Sequence, residues 1–352
     1  MQNFIRKIYL SVMVSVLCMI TLVTATFAWI GFLDFSDFEE FEINLMGSEL
    51  EEYGIEISLT GEEGTFGSSV DAIELKRIIL KNTGRSSYIV DSMTDEEVKK
   101  SFSKLNLDQC TVIPNADKSF PEFKDIDGNN TKMYFKFDIY ISPFKLYESD
   151  DESEYYLNAY LLGDLFQGTK KTKNLVNKFT YPSDFVNEVE NGIKKDTEIK
   201  NNVTVDSSSA CRISIQKYDV VDKYDTDAYK NDSYINDLII FQGGTKNPTY
   251  DSKNNVYSFG GILEEKYNLA LCDYNKKFKN AKKSIPTELY SRGDIEYNNN
   301  YQIIDSSKTE EKIGINQMMK MTICFWFEGW DADCFDVIDR NPVTINLNFS
   351  NN

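Results

Sequence analysis

The chain has 352 residues, with 38 lysines and arginines against 56 aspartates and glutamates, for a formal net charge of −18. A surface this acidic repels phosphate backbones, which excludes nucleic acid as a natural partner. Histidine is absent, and that removes a His-ligated zinc site, a Ser-His-Asp triad and a Cys-His dyad, each of which needs imidazole as ligand or near-neutral base.

Arg6 and Lys7 precede an uncharged run from Ile8 to Phe32, and Asp34, Asp37, Glu39, Glu40 and Glu42 follow it. As a helix, the run is long enough to cross the roughly 30 Å hydrocarbon core of a bilayer. Cations retained on the cytoplasmic side would send the remainder of the chain outside. Residues 1–31 are therefore expected to be either a signal peptide, cut after Ala25 (Val23-Thr24-Ala25) or Ala28 (Thr26-Phe27-Ala28), or an uncleaved membrane anchor helix. Residues 32–352 are expected to form an extracellular domain, secreted or held at the cell surface.

Beyond the leader, strand patterns dominate. Phe41–Met46 and Gly54–Leu59 read as strands, and Ile73–Leu80 is read in the same way. Thr94-Asp95-Glu96-Glu97 is a capping box that opens a helix over Val98–Leu105. Asp125-Ile126-Asp127-Gly128-Asn129-Asn130 resembles the start of a calcium loop, but its glycine comes two places early for an EF-hand and no glutamate stands at the twelfth position. A turn feeding the next strand is predicted instead. That strand, Met133–Ser142, sets Phe135, Phe137, Ile139 and Ile141 on one face and Tyr134, Lys136, Asp138 and Tyr140 on the other.

In the middle of the chain, Ser183–Ile193 and Leu263–Phe278 have helical spacing, while Asp219–Asp237 and Tyr250–Asn255 read as long polar loops. Ala210–Tyr218 places Cys211, Ile213 and Ile215 on one side of a strand. Met318–Phe327 turns Met319, Met321, Ile323, Phe325 and Phe327 inward, with Thr322, Cys324 and Trp326 opposite. A final strand buries Val343, Ile345, Leu347 and Phe349. The predicted fold is mainly β: an antiparallel, jelly-roll-like β-sandwich with strands over about 40–145 and 205–350, preceded by the hydrophobic helix. Insertions are expected near 146–200, containing helix, and near 220–310. Strands at both ends of the chain, antiparallel in style, are expected to pair within one core.

Few residues carry candidate chemistry. Glu328, Asp331 and Asp333 follow a strand end and are candidate calcium ligands, the alternative being a solvated turn locked by Trp330; no other cofactor is expected. Beyond Cys18 in the apolar run, the cysteines are Cys110, Cys211, Cys272, Cys324 and Cys334. Their spacing contains no C-x-x-C, so no zinc ribbon or redox motif is present. Cys324–Cys334 is a candidate disulfide, against the alternative of small buried hydrophobes. Arg292-Gly293-Asp294 matches the integrin tripeptide on a turn-like stretch and is read as a chance match. Carboxylate-pair hydrolysis stays open in principle, but no catalytic signature is present and a non-enzymatic role is expected.

Two motifs carry a resemblance. Thr24-Ala25-Thr26-Phe27-Ala28-Trp29 resembles the leader end of TasA/camelysin-like exported proteins with a SipW-type signal peptide. As in that group, an alternating segment follows, and then Lys81-Asn82-Thr83-Gly84 closes what is read as a strand. Near the other end, Trp326-Phe327-Glu328-Gly329-Trp330-Asp331-Ala332-Asp333-Cys334 is similar to the W-x-E-G-x-D-x-x-C signature of uncharacterised Firmicutes surface proteins. The resemblance implies a jelly-roll-like sandwich, export and assembly into extracellular fibres, in which one subunit donates a strand to the next. The metalloprotease label of camelysin-like proteins finds no support, since no histidine can hold zinc. The expected function is that of a non-enzymatic cell-surface or extracellular-matrix structural protein, as a fibre-forming subunit whose Phe32–Met46 segment pairs with its neighbour. The alternative is a membrane-anchored surface adhesin or ligand-binding module. Expected partners are the membrane, if the leader stays, and other copies or other surface proteins.

Overall fold

The computed structural model describes residues 40–45 and 53–351, apart from 106, 108, 116–118, 126–127, 147–153, 175–178, 181–197, 200–201, 231–233, 236–237, 263–287, 290–291, 298 and 335–341. The apolar run, Ala25, Ala28, and the helices expected at 183–193 and 263–278 lie outside the described residues. Among the described residues no helix is long and apolar enough to cross a membrane.

The chain is mainly β. Its first half runs β1 (Glu40–Leu45), β2 (Tyr53–Ser58), α1 (Ala72–Asn82), α2 (Ser87–Asp91), α3 (Asp95–Phe102), β3 (Gln109–Ile113), β4 (Glu122–Asp125), β5 (Phe135–Lys145), β6 (Ala159–Leu162), β7 (Phe166–Gly168) and β8 (Lys170–Asn174). There follow β9 (Phe179–Thr180), β10 (Glu198–Ile199), β11 (Asn202–Asp206), β12 (Cys211–Asp222), β13 (Ile239–Gln242), β14 (Thr249–Asp251), β15 (Val256–Ser258), β16 (Ile295–Glu296), β17 (Asn300–Ile304), β18 (Gln317–Glu328) and β19 (Val343–Ser350).

The largest sheet is built around β18. On one side β12 runs antiparallel to it, from Cys211 opposite Phe327 to Asp222 opposite Gln317, and on the other β5 pairs Phe135 with Phe325 and Ile141 with Met319. β13 and then β16 extend the sheet beyond β12, and β2 extends it beyond β5. Past the end of β5, β3 lies parallel to the tip of β18, pairing Gln109 with Phe327. The alternation read from the sequence drives this arrangement, because Met319, Met321, Ile323, Phe325 and Phe327 all enter the main core. The opposite face of β18 is also covered: Cys324 and Trp326 pack with Cys110, Val112, Phe123 and Ile240.

A second sheet joins the two ends of the chain, in the order β1–β19–β6–β17, with β7 continuing beside β19. β1 pairs with β19 from Glu40 opposite Thr344 to Leu45 opposite Phe349, and the pairing is parallel. That corrects the antiparallel style expected. A parallel pair needs a long crossover rather than a hairpin, and here the whole intervening domain supplies it. Val343, Ile345, Leu347 and Phe349 are fully buried, each contributing about 1.5–3 kcal/mol relative to exposure. Residues of this sheet share one apolar core with Ile57, Ile139, Ile213 and Ile323 of the large sheet and Val203 of a third sheet, ordered β14–β15–β11–β8.

A further expectation is corrected. Residues 73–80 are helix, not strand: α1 is capped by Asp71, whose carboxylate accepts from the backbone N–H of Ile73 and Glu74, and it buries Leu75, Ile79 and Leu80 along one face. Lys81-Asn82-Thr83-Gly84, part of the family resemblance, is that helix's end. Gly84, at φ 93°, donates to Lys81 O and Arg85 donates to Leu80 O, a Schellman closure. Of the loop read at 250–255, residues 252–255 form the turn of the β14–β15 hairpin, with Asn255 at φ 54°, and residues 250–251 belong to β14. Within residues 146–200, β6 and β7 pair with β19, and within 220–310, β13 and β17 pair with β12 and β6. Helices α1–α3 sit between β2 and β3, where the capping box of Thr94 and Glu97 forms as expected.

Candidate functional site

The acidic tail of β18 stands at the centre of a buried ionic cluster. Arg212 belongs to the outward-facing set of β12, between the inward-facing Cys211 and Ile213, and its side chain is 0% exposed. Its Nε donates to Asp294 Oδ2 at 2.9 Å, its Nη2 to Asp331 Oδ2 at 2.6 Å and its Nη1 to the Cys211 carbonyl at 3.0 Å. Arg292, equally buried, grips Asp294 with two parallel bonds of 2.8 and 2.9 Å. It also reaches Glu328 Oε2 at 2.9 Å, Thr111 Oγ1 at 2.9 Å and the Val112 carbonyl at 3.2 Å.

The remaining donors complete the set. Glu328 accepts from the Thr111 hydroxyl (3.0 Å), the Trp326 indole N–H (3.2 Å) and the Trp330 amide (3.2 Å). Asp331 Oδ1 caps the turn through the Asp333 amide at 2.8 Å. Asp333 accepts from the Phe259 amide (2.7 Å) and the Ser258 hydroxyl (2.8 Å). Two guanidinium groups and four carboxylates thus tie together β12, β18 and its following turn, β3, the end of β15, and the segment before β16. Gly261 lies at the rim, where a Cβ would stand 3.3 Å from Gln242 Oε1 and 3.7 Å from Arg212 Nη2.

Burial and charge set the protonation states. Burial alone would raise Asp294, but the hydrogen bonds and positive charges of Arg292 and Arg212 outweigh it and hold the carboxyl at about 2. Burial raises Asp331 despite the charge of Arg212. It raises Asp333 much further, because Asp333 faces the Asp331 carboxylate and its hydrogen-bond partners are neutral. Burial thus pushes both carboxyls up, Asp333 more than Asp331, whose cost the charge of Arg212 partly offsets.

The three carboxylates read from sequence as calcium ligands are thus gathered at the end of β18, but their lone pairs are taken by guanidinium, hydroxyl, indole and amide donors. Among the described residues no group of three His, Cys, Asp or Glu side chains is set to hold a metal ion. Arg292 and Asp294 of the integrin-like tripeptide are interior members of the cluster, so neither faces a receptor. Asp125 closes its turn by accepting from the backbone and side-chain amides of Asn129, with Gly128 at φ 84°. No bond joins Cys324 to Cys334: strand alternation sends Cys324 to the outer cluster with Cys110 and Trp326, while the turn carries Cys334 into the main core with Cys211.

The sequence does not single out Arg212, Thr111 or Ser258, and it presents Arg292 and Asp294 only as part of a chance match. One signal was available: Arg212 interrupts a strand with apolar neighbours on both sides, and an ion buried there requires a partner. The carboxyl groups of Asp294, Glu328, Asp331 and Asp333 are all buried. The cluster's chemistry is that of a clamp. Comparison with known proteins finds no family model that matches the chain, and no similar curated protein or solved structure.

Proposed function

We propose that the chain is a non-enzymatic cell-surface or extracellular-matrix structural protein, exported by its apolar leader and able to assemble as a fibre subunit. The observation that carries this reading is the place of β1. It is the first described strand after the leader, and it ends its sheet with β19 as its partner. Because β1 already lies on its own β19, assembly would be a strand exchange, with β1 taking the same parallel register on the β19 of a neighbour. The core shared by the sheets supports a sandwich of the jelly-roll-like kind that the leader motif implies, and the ionic clamp would keep that body rigid while β1 moves. The resemblance to TasA/camelysin-like exported proteins points the same way at the leader, though not at residues 81–84. Electron microscopy of the processed chain tests the reading: fibres are expected, and should disappear when residues before Tyr53 are removed. A product that stays monomeric at all concentrations refutes it.

A second reading is a membrane-anchored adhesin or ligand-binding module. It is favoured by the neighbouring Tyr88 and Ile89 of α2, which are 84% and 53% exposed where, among the described residues, exposed large apolar groups are otherwise few. Binding to a glycan or host-protein array that is lost in Tyr88→Ser with Ile89→Ser would select it, and no loss would set it aside.

A further inference from the structure

We propose that Lys217 and Glu311 join through an intramolecular amide bond, formed by the folded chain itself. The argument begins with strand alternation. Cys211, Ile213 and Ile215 enter the main core from one face of β12, and the next position on that face is Lys217. The strand bulges directly after it, between Lys217 and Val220. Glu311, at the end of a short 3₁₀ turn (Thr309–Glu311) between β17 and β18, enters the same region beside Ile303, Ile304 and Ile313, which are buried. The Lys217 Nζ stands 2.5 Å from Glu311 Oε1 with side-chain exposures of 3% and 5%, and 3.0 Å from the Ile303 carbonyl. The other Glu311 oxygen accepts the Asp305 amide at 2.9 Å. The amine is therefore held against the Glu311 carboxyl group, with its nitrogen fixed by the Ile303 carbonyl and the far carboxyl oxygen by the Asp305 amide.

The setting distinguishes this pair from the other described lysine–carboxylate contacts. Lys223–Glu56 and Lys320–Asp138 keep more contact with solvent, and Lys308, which reaches Glu311 at 3.4 Å, is half exposed. Burial also lowers the Lys217 amine below the usual lysine range against the pull of Glu311, so a proton passes more readily from the ammonium to the carboxylate. The neutral amine then attacks the Glu311 carboxyl carbon. The Nζ–Cδ bond forms, a Cδ–O bond breaks, and the departing oxygen leaves as water with both protons drawn from the ammonium. No oxidant, cofactor or activating group is required. Fixed geometry supplies effective molarities of about 10⁵–10⁸ M in favourable intramolecular cases, and an apolar surround keeps out the water that drives the reverse reaction. The product replaces a buried ion pair, which is costly to desolvate, by a neutral amide. It ties β12 to the entry of β18, closing the long span between them, and it does not depend on strand exchange by β1.

Mass spectrometry decides the matter. The intact chain, measured against the sequence between its observed termini, should be lighter by one water. Proteolysis should release a branched peptide joining the Lys217 and Glu311 fragments, and Lys217→Met or Glu311→Leu should restore the full mass. A wild-type chain of full mass overturns the proposal whether or not the variants fold. So does a lost water that fragmentation places elsewhere, such as a base-labile cyclised aspartate at Asp127-Gly128.

Discussion

Replacing Arg212 by methionine isolates the central interaction of the clamp. Methionine fills much of the arginine's volume, so the main losses are the bonds to Asp294 at 2.9 Å and to Asp331 at 2.6 Å. Asp294 keeps both bonds from Arg292, whereas Asp331 is left, among the described residues, with no cation at hydrogen-bond distance. Left ionised, a buried carboxylate deprived of its partner costs about 3–5 kcal/mol. The alternative is to take up a proton. With an ordinary value of 3.8 for Asp331, protonation at pH 7 costs about 4 kcal/mol at about 1.4 kcal/mol per pH unit. The two routes agree, and the expected loss at pH 7 is about 4 kcal/mol. The protonation route adds a signature: between pH 7 and pH 5 the loss should shrink by about 2–3 kcal/mol, as proton uptake becomes cheaper. The sign follows from linkage. The folded variant holds a raised Asp331, binds more protons than the unfolded chain, and is stabilised relative to wild type as pH falls. Urea unfolding of both proteins at the two pH values measures this directly. A loss below about 1 kcal/mol at pH 7, or one independent of pH, would refute the view that Arg212 neutralises a buried charge.

Asp294, held at about 2, contributes stability that is present above its ordinary value of 3.8 and is lost as pH falls towards 2. The cost of Asp294→Asn should therefore shrink by about 2 kcal/mol across that window, read as the difference between wild-type and variant acid unfolding. Millimolar calcium should leave the melting temperature unchanged, because Glu328, Asp331 and Asp333 are already bonded to protein donors; a rise abolished by Asp331→Asn would contradict the clamp. Asp71→Ala removes the α1 cap and should cost about 1 kcal/mol, and Gly84→Ala at φ 93° about 1–2 kcal/mol. If residues 72–82 were a strand, neither change would matter, and chemical denaturation separates the two cases.

The strands legible in the sequence are those whose two faces differ. β19 alternates through Phe349 with its inward set buried, and β5 does so up to Ile139, beyond which Tyr140 and Ser142 of its other face are buried as well. α1 was misread because Ile73, Leu75 and Ile79 are compatible with a period of two as well as with a helix. The deciding information was local chemistry at its ends, the Asp71 cap and the Gly84 closure, not hydrophobicity. The capping box at Thr94 was legible for the same reason in reverse. The clamp was half legible: Glu328, Asp331 and Asp333 announce convergence because they lie within one turn. Their counter-ions come from β12 and from the segment before β16, far away in the chain, and only strand pairing brings them together. An acidic cluster read alone suggests a metal, because a calcium ion and two guanidinium groups answer the same electrostatic need. Lys217 was overlooked for a simpler reason: a lysine at an inward strand position looks like a register error until its carboxylate is located.

The most direct test of the proposed role asks whose β19 each β1 occupies. Glu42 and Asn346 are register partners, so cysteines placed at both positions should cross-link along that pairing. Isotopically heavy and light chains carrying both substitutions are mixed, allowed to assemble, oxidised and digested. Strand exchange predicts heavy–light cross-linked peptides in the assembled fraction, at the frequency expected for random mixing. Cross-links confined to heavy–heavy and light–light pairs would show that β1 stays on its own chain, and would contradict assembly through this strand.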